Sequence, residues 1–244
     1  MAANWMRRTL MVAACASAAL LAACGSSTTE SAISPQRFIA FGDAMNDVGQ
    51  NGSRYTVNDG SVNNWTLQVV ANYGKSLTPV SAGGLSYATG NARVSAKPDA
   101  AGNASTRTVT EQIDAFLASG SFAATDVVMV SGGVSDVIAG MAAVNAGTLT
   151  QDAMVAAARK AGEDLAAQVR RLVTAGAKYV VVTGTYDLSK TPWAKAIGRE
   201  ALLSNASSRF NEGLLVGIVD LGANVLYVDS AYYVNLYTLS LIHI

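Results

Sequence analysis

The chain reads as an α/β domain with a parallel sheet wrapped by helices, and three observations predict it. Short continuous apolar runs with β-branched residues recur at 38–41, 126–131, 178–183 and 224–229, the form of strands covered on both faces. Segments with apolar residues at helical spacing lie between them. The resulting alternation is βαβ throughout, and the right-handed crossover rule then turns every strand's carboxyl end toward one edge of the sheet.

Taken in order, the chain opens on a targeting pattern. Arg7 and Arg8 form a positive start, residues 9–20 an apolar stretch, and Leu21-Ala22-Ala23-Cys24 a lipobox. The apolar run is short for a membrane span and ends in small residues, so residues 1–23 are expected to be a lipoprotein signal peptide, with Cys24 the lipidated residue. Val12-Ala13-Ala14-Cys15 has the same form but leaves only about six apolar residues before a cut, below the range such a segment needs. The expected place of the protein is therefore the bacterial cell envelope, facing the periplasm, with a membrane partner through the lipid on Cys24. Residues 24–36, Ser/Thr-rich and closed by Pro35, read as a flexible tether, and the domain is expected to span 37–238.

Within the domain, residues 64–73 space Trp65, Val69 and Tyr73 on a helix that Gly74 stops, and 78–105 is loop-rich. Residues 110–119 carry Ile113, Phe116 and Leu117 on a helix ended by Gly120, just ahead of the strand at 126–131. The Ala-rich stretch 150–174 predicts a long amphipathic helix with Val155, Ala158, Leu165, Val169 and Leu172 on one side, ended by Gly176. A strand at 178–183, a helix at 199–221 and a strand at 224–229 complete the pattern. The common strand edge then collects Asp43, Ala44, residues 132–136, residues 184–187 and Asp229, where open α/β sheets place their ligand sites.

Composition excludes several functions. There are 17 basic and 17 acidic residues, and removing Arg7 and Arg8 with the signal leaves 15 basic, so charge gives no reason to expect nucleic acid. With Cys15 cleaved and Cys24 acylated no thiol remains for a disulfide or a Cys-based metal site. The pattern holds no metal-ligand cluster, and residues 42–52 lack the spaced glycines and basic residue of a phosphate cradle; no cofactor is expected.

The stretch Gly42-Asp43-Ala44-Met45-Asn46-Asp47-Val48-Gly49 resembles the first signature block of the SGNH, or GDSL, hydrolase family, Gly-Asp-Ser-Leu-Ser-Asp-x-Gly, at five of seven specified positions if Met is accepted for Leu. Residues 86–94, Ser-Tyr-Ala-Thr-Gly-Asn-Ala-Arg-Val, resemble its second block, and residues 130–136, Val-Ser-Gly-Gly-Val-Ser-Asp, its third, in the family's order. The resemblance implies a three-layer α/β/α, flavodoxin-like fold and an esterase or lipase acting on a small-molecule ester or acyl ligand. It implies that a serine of the first block attacks the ester and a C-terminal Asp-x-x-His pair activates it. It also implies that the nucleophile's N–H, the second-block glycine N–H and a third-block asparagine hold the oxyanion.

Carried onto this chain, the nucleophile position is Ala44, and the oxyanion donors are the Ala44 N–H, Gly90 and, in place of asparagine, Ser135. Losing a side-chain oxyanion donor costs about 10²-fold or more in rate. Losing the nucleophile costs on the order of 10⁶-fold in kcat, leaving positioning alone. Read without the family, Gly90 is equally a turn glycine and Ser135 a helix N-cap. Asp43 and Asp47 are expected to support the elbow through side chain to backbone hydrogen bonds, and Arg93 to be solvated. Three functions follow from different classes: an ester hydrolase, a non-catalytic binder of acyl or acetylated glycan ligands, and a hydrolase using another hydroxyl such as Ser53 or Ser86. His243, the one histidine, has Ser240 where the pattern requires an acid. Residues 239–244 read as translated adapter DNA, so the family's Asp-x-x-His is expected downstream of Thr238 in the uninterrupted gene.

Overall fold

The structure is a computed structural model that describes residues 32–55 and 61–240. Its elements belong to the second of two compact units, Pro35–Ile244. Four strands, β1 (Phe38–Phe41), β2 (Val127–Ser131), β3 (Tyr179–Thr183) and β4 (Val225–Val228), form one sheet in the order β1-β2-β3-β4 with every pairing parallel. The helices are α1 (Trp65–Asn72), α2 (Val109–Ser119), α3 (Val134–Asn145), α4 (Gln151–Thr174), α5 (Pro192–Ile197), α6 (Glu200–Ile218) and α7 (Ser230–Ser240).

A short extended segment lies on the outer side of β1. Ala40 N–H donates to the Leu85 carbonyl at 3.1 Å and Tyr87 N–H to the Ala40 carbonyl at 2.7 Å, making a parallel bridge between Ala40 and Ser86. The chain therefore leaves β1 toward one side, then crosses back to build β2, β3 and β4 on the other. That is the 2-1-3-4-5 order of flavodoxin-like sheets, and its direction reverses between β1 and β2, where such folds bind ligands.

Register explains the core. Ile39, Val128, Val180 and Val225 align across the sheet, as do Phe41, Val130, Val182 and Tyr227. These residues join the apolar faces of α2, α3, α4 and α6 in one cluster. The pair α4 and α6 is unusually close because small residues line the seam: a Cβ on Gly162 would fall 2.0 Å from the Phe210 carbonyl oxygen, and one on Gly213 2.4 Å from that of Arg159. On the opposite face Ala40 and Met129 are fully buried, Val181 is half-buried, and Leu226 is 61% exposed. The covering of that face thus reaches β1 and β2 and fades at β4, whereas the apolar run predicts cover on both sides.

Local chemistry sets the helix ends. Thr108 and Glu111 form a capping box at the start of α2, Thr150 caps α4, and Thr191 caps α5 with Pro192 in its first turn. At the far end of the sheet, the Arg37 guanidinium grips the buried Asp126 carboxylate through Nε at 3.0 Å and a terminal nitrogen at 2.5 Å, pinning the entries to β1 and β2 together. Helices α3, α5 and α7 are not among the elements that the apolar spacing predicts. Among the described residues no helix is long and apolar enough to cross a membrane.

Candidate active site

The turn after β1 begins at Gly42, whose φ of 140° is a conformation L side chains rarely adopt. A side chain would also not fit, since a Cβ there would lie 2.3 Å from Ser131 Oγ. Buried Gln112, on α2, holds this residue from both sides: its Oε1 accepts the Gly42 N–H at 2.8 Å and its Nε2 donates to the Gly42 carbonyl at 2.9 Å. Asp43 is fully buried. Its Oδ1 accepts Met45 N–H at 3.1 Å and the Ser131 hydroxyl at 3.0 Å, which ties the end of β1 to the end of β2. Its Oδ2 has no hydrogen-bond partner among the described residues. Burial pushes the Asp43 carboxyl above its ordinary range, opposed in part by the Met45 N–H and the Ser131 hydroxyl. Ala44 follows, half-buried at the turn, and its N–H finds no acceptor among the described residues.

Asn46 and Asp47 close the turn. Asn46 Nδ2 donates to the Phe41 carbonyl at 2.9 Å, and its Oδ1 accepts the Thr66 hydroxyl at 3.1 Å, so the family's second serine position is here a buried amide that spans two elements. Asp47 Oδ1 accepts Gly49 N–H and Gln50 N–H, both at 2.8 Å. Its Oδ2 accepts Gly90 N–H at 2.7 Å, joining the first block to the second. Thr89 N–H reinforces that join by donating to the Gly42 carbonyl at 3.0 Å. The Gly90 amide is thereby occupied, and Gly90 also lies beneath the Tyr55 ring, 2.0 Å from where a Cβ would be. The next amide, that of Asn91, has no acceptor among the described residues, and Asn91 takes a left-handed φ of 64°.

The third block leaves β2 through Gly132 and Gly133 and enters α3. Gly133 stands at the cap position with φ 106°, where a Cβ would strike the Phe210 ring at 2.4 Å, so Ser135 is a first-turn residue of α3 and not its cap. Ser135 is 4% exposed, and its hydroxyl makes no hydrogen bond among the described residues. Asp136 binds the second block: Oδ2 accepts Val94 N–H at 3.0 Å and Oδ1 faces Arg93 Nε at 3.4 Å. Burial pushes the Asp136 carboxyl up to about 6, with the Val94 N–H and Arg93 acting against it and the Asp43 charge adding to it. Arg93 is therefore the ion-pair partner of a buried carboxylate, and the expectation that it is solvated is corrected. Periodicity carries no sign of this contact, because the partners are 43 residues apart.

The three blocks are thus laced to one another by hydrogen bonds at the carboxyl ends of β1 and β2. Other candidates stand elsewhere. Ser86 is fully buried against β1 with a hydroxyl that has no partner among the described residues, which leaves no route for a substrate, and Ser53 lies in an exposed loop. Asp187 and Asp229 line a cavity of about 610 Å³ bounded by α6 and α7. Tyr186, after β3, is raised by burial and by the Asp43 charge, which places it within electrostatic reach of the elbow. Cys24 and His243 lie outside the described residues. Among the described residues no three His, Cys, Asp or Glu side chains gather as metal ligands.

The model of the GDSL-like Lipase/Acylhydrolase family matches residues 38–241. The chain belongs to that family. No curated protein matches it. As a GDSL-like lipase/acylhydrolase domain it carries the α/β fold of ester hydrolases, and the matched region begins at the first residue of β1 and takes in all three laced blocks. What the arrangement can do chemically follows from its groups. Unoccupied donors at Ala44 and Asn91 suit a developing or partial negative oxygen, while the methyl of Ala44 supplies no nucleophile.

Proposed function

We propose that this family member sits in the bacterial envelope, lipidated at Cys24, and that its site in this form binds small ester or acyl ligands without turning them over. The observation that carries the proposal is a built elbow with a methyl group at its centre: Gln112, Asp43, Asn46 and Asp47 all support the turn, yet residue 44 has no hydroxyl. The Ala44 and Asn91 N–H groups and the Ser135 hydroxyl remain to meet an acyl oxygen, and Gly90 would join them only by releasing Asp47. Such donors position a carbonyl, whereas bond cleavage needs an attacking group.

The test is covalent labelling of the full gene product with a fluorophosphonate probe, native and Ala44→Ser in parallel. The native protein is expected to stay unlabelled and Ala44→Ser to be labelled at residue 44. Labelling of the native protein at another hydroxyl, such as Ser53, would replace this reading with that of a hydrolase using a substitute nucleophile. For the anchor, mass spectrometry of the membrane fraction should find an acyl mass on Cys24, and its absence removes the envelope part of the proposal.

A further inference from the structure

Of the eleven large apolar side chains exposed among the described residues, eight fall between residues 215 and 237, which concentrates them around β4 at one end of the sheet. Leu215 and Val216 stand on α6 with Val219 at its C-cap, Leu226 stands on β4, and three tyrosines and a leucine stand on α7. The 610 Å³ cavity is bordered by Leu215 and Val216 from α6, Tyr227 from β4 and Ala231 from α7, so the three elements share one concave face. Leu226 lies on the other face of the sheet, and the apolar surface thus wraps around the edge strand. Among the described residues no side chain of α7 belongs to the core cluster or packs against it, so the apolar surface of this helix is left for something outside the fold to cover. At about half exposure each, the eight side chains present on the order of 700 Å² of apolar surface. That is above the ~300–600 Å² of the largest patch on a typical monomer and close to the ~800 Å² that each partner buries in a standard interface.

The strand is also unguarded. β4 reads Val-Leu-Tyr-Val, with no charge and no proline, and its outer side pairs with no strand among the described residues. Val180 N–H donates to the Asn224 carbonyl at 2.8 Å, so the alternation along β4 turns the backbone groups of Val225 and Tyr227 outward. The Leu221 carbonyl takes Val225 N–H at 2.9 Å, which leaves the Val225 carbonyl and both backbone groups of Tyr227 on the open side. Charge differs between the two ends of the edge. Exposed Asp229 follows the carboxyl end of β4, and exposed Lys178, whose carbonyl accepts the Asn224 side chain at 3.2 Å, flanks its amino end. Asp187, Glu212 and Asp229 line the cavity and no basic residue does, which disfavours an anionic lipid surface as the cover.

We propose that the β4 edge is the interface of a two-fold homodimer, in which β4 pairs antiparallel with β4 of a second copy while α6 and α7 cover the join. With Leu226 opposite the partner's Leu226, Tyr227 N–H donates to the partner's Val225 carbonyl and the reverse, and Asp229 comes beside the partner's Lys178. The two four-stranded sheets become continuous. Such a contact is isologous, so it closes at two copies and leaves no open edge at β4. It does not depend on what binds at Ala44.

Sedimentation velocity from ~1 to ~100 µM tests it, on the full chain carrying Cys24→Ser so that no acyl group drives association. The expected result is a dimer with a Kd of about 10 µM or tighter. Leu226→Arg, at an exposed position, sets two like charges opposite each other and should weaken the dimer about a hundredfold or more. Tyr237→Glu, exposed on α7, serves as a second variant should the first impair folding, and should weaken it about tenfold. A monomer at ~100 µM, a dimer that both variants leave intact, or assembly beyond two copies overturns the interface. Dimerisation only when Cys24 is present assigns the association to the lipid, and a monomeric full gene product beside a dimeric 244-residue chain assigns the face to residues encoded downstream of Thr238; either result overturns it as well.

Discussion

Replacing Gln112 by glutamate probes how the elbow is held. In the native chain this buried side chain accepts Gly42 N–H at 2.8 Å and donates to the carbonyls of Gly42 at 2.9 Å and Arg107 at 3.2 Å. A neutral glutamic acid can keep the acceptor and one donor. The carboxylate has acceptors only, and turns a buried anionic oxygen toward two carbonyl oxygens. The Gly42 carbonyl retains Thr89 N–H at 3.0 Å, so the hydrogen bond lost there costs only about 1 kcal/mol. The buried charge is the larger cost, and the variant responds by holding its proton. A rise of roughly two to three pKa units corresponds to about 3–4 kcal/mol. Because the folded value lies above the unfolded one, the folded variant binds more protons between the two. Relative to the native chain, Gln112→Glu should therefore be most stable below about pH 4 and lose stability as pH rises through its raised folded value. Gln112→Ala, which leaves Gly42 N–H buried and unpartnered, should lose about 2–4 kcal/mol at any pH. Urea titrations followed by circular dichroism at about pH 5 and about pH 8, each variant against the native chain at the same pH, measure both effects. Equal relative stability of Gln112→Glu at the two pH values, or an alanine variant within about 0.5 kcal/mol of native, refutes the clamp.

Asp47→Ala removes the acceptor of three backbone N–H groups and should cost about 3–6 kcal/mol, with faster hydrogen exchange at the Gly90 amide; slow exchange there in a folded variant contradicts the assigned bond. Asp136, raised by burial to about 6, makes the folded chain bind more protons than the unfolded one between its ordinary value near 4 and about 6. Native stability measured against Asp136→Asn should therefore fall, by on the order of 2–3 kcal/mol, as pH rises across that window, and a difference that stays constant with pH contradicts the assignment.

The parts of this structure legible in the sequence are those that depend on local pattern. The four strands follow from β-branched runs, and the helices α1, α2, α4 and α6 from helical spacing, the first three ended by Gly74, Gly120 and Gly176. Helix α3 is signalled in the sequence only by Ser135 as a possible N-cap, and the structure puts Gly133, with φ 106°, at the cap position instead. Helix α5 spans six residues, too few for a period to show. The pairing of 85–87 with β1, the gripping of Gly42 by Gln112 across 70 residues, and the Arg37–Asp126 pair across 89 are long-range contacts on which spacing is silent. For the same reason Arg93 reads as a surface charge until Asp136 is seen beside it. At the site, the positions of Ala44, Asp43 and Asp47 are visible in the first block, and the two aspartates accept backbone N–H groups of the turn that follows them. That the Gly90 amide is spent on Asp47, leaving the Asn91 amide without an acceptor among the described residues, is a matter of backbone direction at two adjacent peptides, which residue identity does not encode.

Steady-state hydrolysis of short-chain aryl esters by the full gene product, native beside Ala44→Ser, tests the proposed loss of turnover most directly. The native protein should stay at the uncatalysed background, and the serine form should exceed it by orders of magnitude, since a positioned nucleophile accounts for up to about 10⁶-fold in kcat. Native turnover equal to that of Ala44→Ser, or a correctly folded serine form that remains inert, contradicts the placing of the reaction centre at residue 44.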